Sequence, residues 1–271
     1  MKRLTLDEMH EALLGILSEF DRVCRENGLR YTISHGTLIG AVRHKGFIPW
    51  DDDIDVCMPR PDYEKLYALV KSGEVQLSEH YLLSEDRGKK ALYPFFKLMD
   101  DRYPIKTWSN KEVPYLYLDV FPLDGAPDTE KGVKKLRKKR TLNLGVCALA
   151  RWAVPMDKKW KVIYRALFFP FYVGCWLYGT ARAARKVNKN ALKNDFNTCK
   201  KCAVFNFSTE KWLMDCDDFS DLIELPFENL KVYAIANYDA WLSQIYGNYM
   251  QLPPESKRVT HGLKVWKADE N

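Results

Sequence analysis

A chain of 271 residues, 46% hydrophobic and 13% aromatic, has the apolar mass for a full core, which excludes a disordered protein. The net charge of +6 is unevenly spread: residues 131–201 hold 19 Lys and Arg against Asp157 and Asp195, so that stretch is +17 and the rest −11. Seven scattered cysteines fit reduced thiols rather than a disulfide framework, and residues 1–10 carry no apolar signal core, so a cytoplasmic protein is expected.

In chain order, Thr5 and Glu8 form a capping-box pattern before an apolar stripe at Met9, Leu13, Ile16, Phe20 and Val23. The spacing predicts an amphipathic helix over 6–27, stopped at Gly28. Residues 30–34 alternate as a short strand does, and Thr37 is expected to cap a helix that runs to about Arg43 and ends by Gly46. An acidic strand follows, then a helix from Met58 to Gly73 with Pro61 in its first turn. Residues 81–125 look β-rich, with strands expected in Tyr93–Asp100 and Tyr115–Asp124.

The acidic stretch is the anomaly. Asp51, Asp52, Asp53 and Asp55 are four carboxylates in five positions, set between Ile48-Pro49-Trp50 and Val56. In an extended chain Asp51, Asp53 and Asp55 share one face, and like charges so placed repel unless a cation lies among them. Hard divalent ions take such ligands, Mg²⁺ above all when a substrate supplies phosphate oxygens. Asp119 emerges at the end of an apolar strand, where an acid needs a partner, and the same cation is the expected one.

The basic stretch opens with Lys131 and a predicted helix bearing Lys134, Lys135, Arg137, Lys138, Lys139 and Arg140. At its middle are twelve apolar or small residues, Leu167 to Tyr178, broken by Pro170 and Gly174 and flanked by Arg165, Arg182, Arg185 and Lys186. Twelve residues are too few to span a bilayer, but an interfacial segment meeting anionic lipid and a buried helical hairpin both fit. Nucleic acid is disfavoured, because the charge surrounds an apolar segment and no nucleic-acid motif accompanies it. Cys199-Lys-Lys-Cys202 is a single CxxC without a second pair or nearby His, so zinc is not expected. A helix around Tyr238–Tyr246 follows, and Pro253-Pro254 precede a compact basic group of Lys257, Arg258 and His261.

The run His35-Gly-Thr-Leu-Ile-Gly-Ala-Val-Arg-His-Lys-Gly-Phe-Ile-Pro-Trp-Asp-Asp-Asp-Ile-Asp-Val56 resembles the signature of the LicD family, which includes bacterial phosphocholine transferases and the related domain of fukutin-type proteins. Leu118-Asp-Val-Phe-Pro-Leu-Asp-Gly125 and the ending Tyr246–His261 are similar as well, in the family's order. Two departures are Asn248, where the family more often has Asp, and a single His261 before Gly262 where the His is often doubled.

The resemblance implies an α/β (α+β) nucleotidyltransferase-like fold, a mixed sheet flanked by helices. Residues 1–130 would form the catalytic core, 131–201 a basic, aromatic helical insert that is a candidate membrane contact, and 202–271 the part completing core and active site. It implies that Asp53, Asp55 and Asp119 hold Mg²⁺, with Mn²⁺ as substitute, Asp51 being a less favoured ligand because Asp52 rather than an apolar residue separates it from Asp53. Gly36 and Thr37 match the phosphate-binding turn at a helix start. Arg43, His44 and Lys45 supply cationic donors, and Lys257, Arg258 and His261 join them as substrate- or nucleotide-binding residues. Asp119 is a candidate general base, with His35 and His44 as rivals. The implied activity is Mg-dependent transfer of a phosphoalcohol group, phosphocholine from CDP-choline, onto a sugar hydroxyl of a surface glycan such as teichoic acid or lipopolysaccharide, or its lipid-linked precursor. An enzyme working on such acceptors would sit at the inner face of the cell membrane, on anionic lipid. The alternatives are a nucleotidyltransferase acting on a phosphorylated sugar and a non-catalytic lipid-binding protein.

Overall fold

In the computed structural model, residues 1–106, 113–150, 169–206 and 212–268 are described. In chain order the elements are β1 Lys2–Arg3, α1 Leu6–Glu26, β2 Thr32–Ile33, α2 His35–His44, β3 Asp55–Pro59, α3 Arg60–Ser72, β4 Tyr81–Leu83, β5 Phe96–Pro104 and β6 Tyr115–Gly125. Then come α4 Glu130–Ala150, α5 Phe169–Tyr178, α6 Thr180–Ala191, β7 Lys201–Ala203, β8 Met214–Asp215, β9 Leu222–Phe227, β10 Leu230–Ile235, α7 Tyr238–Tyr246 and β11 Trp266–Lys267.

Thr5 caps α1 as its sequence predicts: its side chain accepts from the Glu8 amide while the Glu8 carboxylate accepts from the Thr5 amide. Such a cap stabilises by about 1 kcal/mol. The stripe Met9, Leu13, Ile16, Phe20 and Val23 is buried against the sheet.

That sheet runs β2-β3-β6-β5-β4, with only the β3–β6 pair parallel; β7 and β8 extend it beside the far end of β6. This is the expected mixed sheet flanked by helices. In β6 the period of two divides the faces: Leu116, Leu118 and Val120 are buried in the core, while Tyr115, Tyr117 and Asp119 turn to a half-open face. The β9–β10 hairpin docks beside β2, through Tyr233 N–H to the Tyr31 hydroxyl (3.3 Å) and Ile235 N–H to Thr32 Oγ1 (3.2 Å).

The basic insert contributes the helices α4, α5 and α6, and residues 192–200 lead by turns from α6 to β7. Small residues on α6 (Ala183, Ala184, Ala191) let α4 approach closely. Asn188 on the same face ties the insert to the core: Arg60 donates to both Asp124 oxygens (2.6 and 2.8 Å) and to Asn188 (3.4 Å), all of them buried. On α5 only Tyr172 and Cys175 are buried, while Phe169, Phe171, Trp176 and Leu177 are more than half exposed. Arg165, Leu167 and Phe168, read with this segment from the sequence, lie outside the described residues, as does Asp157. No helix among the described residues is long and apolar enough to cross a membrane. None of the seven cysteines, all of them among the described residues, is joined in a disulfide.

Candidate active site

The acids converge because two strands present them in register. In the parallel β3–β6 pair Asp55 stands opposite Asp119, and across β5–β6 Asp119 stands opposite Lys97. Asp51 and Asp53 come from the irregular segment before β3, since regular strand begins only at Asp55. Ladder pairing in the acidic run thus begins only at Asp55, and a turn closed by Asp51 N–H to Ile48 C=O (2.9 Å) leads into it.

Burial and mutual repulsion act on the cluster. Asp53 is pushed up to about 7 by burial and then by the charge of Asp51. Asp55 is raised well above the carboxylate range by burial, then by Asp53 and Asp119. Asp119 is raised by burial, with Lys97 pulling the other way. A donor set of oxygen ligands that repel one another in a partly buried site is one a hard divalent cation fits.

Asp119 has a partner that the sequence did not disclose, the ammonium of Lys97. Lys97 is buried, and its Nζ also lies over the rings of Tyr117 (3.5 Å), Tyr93 (4.7 Å) and Phe95 (5.3 Å). The sequence reading assigned Lys97 nothing. Its signal was a lone lysine in the apolar run Phe95-Phe96-Lys97-Leu98-Met99, a residue type seldom buried without a carboxylate.

His261 is the second surprise. It was grouped with Lys257 and Arg258, yet its Nε2 lies 3.6 Å from both Asp51 and Asp53, and ligand atoms of these three residues fall within 4.8 Å of one another. Asp51, the less favoured acid by sequence, thereby joins the cluster. Pairing with Asp51, then the charge of Asp53, pushes His261 up to about 9. Arg258 instead covers the Trp50 ring (5.2 Å), and Lys257 is exposed at the end of a 3₁₀ turn. The compact basic group therefore divides, because the chain from 257 to 263 passes along the site rather than folding on itself.

The α2 end of the site is built from the signature. The helix starts three residues before the expected position, with Ser34 rather than Thr37 as N-cap and His35 at φ +48. Thr37 is not the cap: its hydroxyl accepts the Asp55 amide (2.9 Å) and pins β3 to α2. Gly36 allows the close approach of Asp51, since a Cβ there would lie 2.5 Å from the Asp51 carboxylate. The first turn of α2 thus faces Asp51. His35 Nδ1 is 3.9 Å from Asp55 and its ring lies among Phe121, Trp241 and Trp212.

At the other end of α2, Arg43 Nε–H donates to His44 Nε2 (2.8 Å) and Nη1–H to the Tyr249 carbonyl (2.9 Å). Burial and then Arg43 lower the His44 imidazole, so it serves as a neutral acceptor. Burial and the neighbouring Arg258 likewise lower Arg43. Two guanidiniums and the Trp50 indole therefore flank the acids, a setting for an anionic, flat-ringed ligand. Lys45 ends α2 in the left-handed region; its side chain is exposed and its carbonyl receives the Glu228 amide (2.7 Å) from the β9–β10 turn.

Comparison with known proteins now adds to the geometry. Residues 28–144 match the family model described as the LicD/FKTN/FKRP nucleotidyltransferase domain. Over 97% of the chain and 98% of the relative, the sequence is 30% identical to the lipopolysaccharide cholinephosphotransferase LicD of Haemophilus influenzae. Shorter matches of 63 residues link 23% of the chain to uncharacterised proteins of Rickettsia prowazekii (39% identical, 24% of that protein) and Rickettsia typhi (36%, 20%).

Proposed function

The chain belongs to the LicD family, and we propose that it is a phosphocholine transferase that moves the group from CDP-choline to a sugar hydroxyl of a surface glycan or its lipid-linked precursor. The observation that carries this reading is the register placing Asp55 beside Asp119, with Asp51 and Asp53 close by, in a chain similar throughout its length to a cholinephosphotransferase.

The acceptor hydroxyl oxygen attacks the phosphorus that bears choline. A new P–O bond forms, the bridging P–O bond breaks, and CMP leaves with the electron pair. Asp53, Asp55 and Asp119, with Asp51 beside them, would hold Mg²⁺, or Mn²⁺ in its place. When bound, such an ion offsets the negative charge of the diphosphate. Arg43 and Arg258 bind and orient the diphosphate, and Trp50 offers a face to the base or to choline. Thr37 holds the Asp55 strand in place. His44 lines the site with its Nε2 engaged by Arg43 (2.8 Å), so we assign the hydroxyl proton to Asp119, whose carboxylate Lys97 keeps aimed.

The insert supports a site of work at the inner face of the cell membrane. Phe169, Phe171, Trp176 and Leu177 project from a stretch carrying +17, the composition that enters an anionic lipid interface.

Product analysis tests the reaction. With CDP-choline, Mg²⁺ and a lipopolysaccharide glycan, ³¹P NMR should show CMP and a new phosphodiester. Release of pyrophosphate from a nucleoside triphosphate with a phosphorylated sugar would instead establish the nucleotidyltransferase alternative.

A further inference from the structure

Asp52 stands between two acids of the cluster and faces away from them. Its carboxylate, 2% exposed, accepts three consecutive backbone amides from the far end of the chain: His261 (2.9 Å), Gly262 (3.0 Å) and Leu263 (3.0 Å). Consecutive amides can turn toward one anion when a residue among them adopts the left-handed conformation, and Gly262 does so at φ +81. The protein thus supplies its own anion to a backbone nest.

The contact fixes the position of a side chain. With its amide bound to Asp52, His261 places its imidazole Nε2 3.6 Å from Asp51 and from Asp53. The chain on either side is anchored without Asp52. After the loop, Leu4 N–H bonds the Val265 carbonyl (3.0 Å), Val265 bridges Ile105, and β11 pairs with β1. Before it, the Arg258 guanidinium lies over the Trp50 ring (5.2 Å). Asp52 therefore sets the middle of a loop whose ends are already fixed.

We infer that Asp52 is a positioning residue: it docks the 261–263 backbone and thereby makes His261 the third arm of the cation site offered by Asp51 and Asp53. The inference rests on the reading of these acids as a cation site. It assigns the middle acid of the signature a task separate from that of its two neighbours.

The experiment measures two quantities, Mn²⁺ affinity by isothermal titration and amide exchange over 259–264. It compares the wild type with Asp52→Asn, His261→Ala and the double variant. The expected result is faster exchange at 261–263 in Asp52→Asn. Mn²⁺ affinity should fall about tenfold in Asp52→Asn and again in His261→Ala, with no further loss in the double variant. Gly262→Ala, which keeps Asp52 but strains the loop, should lose Mn²⁺ affinity in the same way and provides the test if Asp52→Asn does not fold. Unchanged Mn²⁺ affinity in Asp52→Asn, or losses that add in the double variant, would overturn the positioning role while leaving the cation site standing. A wild type that binds no Mn²⁺ would refute the site itself and the role with it, whatever transfer activity is measured.

Discussion

The acid site opens the β3–β6 pair and the α4–α6 insert is tied to its other end through Arg60, Asp124 and Asn188, and the two regions are built on opposite rules. In the acid site several charges have specified neighbours: Lys97 for Asp119, His261 for Asp51 and Asp53, three amides for Asp52. Strand register sets the first of these pairings, so a shift of one residue there would destroy it. On the insert, Phe171 and Leu177 are 54% and 65% exposed beside the basic residues of α6, and for the proposed lipid contact composition would count for more than position. A reaction centre needs geometry within fractions of an ångström. A lipid surface has no fixed partner atoms, so area and charge suffice.

Substitutions should separate the two regions. The largest effect is expected from Asp53→Ala with Asp55→Ala: CMP release should fall on the order of 10³-fold, and vesicle binding should not change. Retained Mg-dependent transfer would mean that the acids are not the reaction centre. In chelator, Asp55→Asn should raise the melting temperature, because a buried charge that its neighbours oppose is removed; a gain of 1 kcal/mol corresponds to about 2–4 °C in a chain of this size.

The junction comes next. Arg60→Ala strands Asp124 without its bidentate partner and should cost about 3–5 kcal/mol by chemical denaturation, unfolding core and insert together. Two separate transitions would show that the insert is an independent unit. The insert's exposed surface follows: Phe171→Ser with Leu177→Ser should lower partition onto anionic vesicles about 10–100-fold. Stability should stay within about 1 kcal/mol and turnover on a water-soluble acceptor should be unchanged. Equal loss of stability would make this face part of the core. The smallest effect is expected at Arg258→Ala, a several-fold rise in KM for CDP-choline from loss of about 1 kcal/mol over Trp50, with kcat nearly constant.

The same contrast governs what the sequence made legible. Local rules exposed α1, its capping box and the β-rich stretch, because caps and periodicity are encoded within a few residues. The acids were legible as a charge anomaly, and the family signature named their neighbours. Lys97 was missed because its partner sits on the adjacent strand, and pairing across strands leaves no mark in the period of either one. Thr37 was taken for a cap, since a hydroxyl near a helix start is read that way; the Asp55 amide claims it instead. Asp52 was visible only as one more carboxylate, although alternation already turned it from Asp51 and Asp53. Its partners lie 209 to 211 residues away. For the exposed face of the insert the sequence offered mainly composition, which is most of what the proposed lipid contact would use.

The most direct measurement is calorimetric titration of CDP-choline into wild type and Asp53→Ala, each with and without Mg²⁺. Saturable binding by the wild type that depends on Mg²⁺, and its loss in Asp53→Ala, is the predicted result. Equal binding by both proteins, indifferent to Mg²⁺, would contradict the assignment of these acids to a cation-assisted phosphotransfer site.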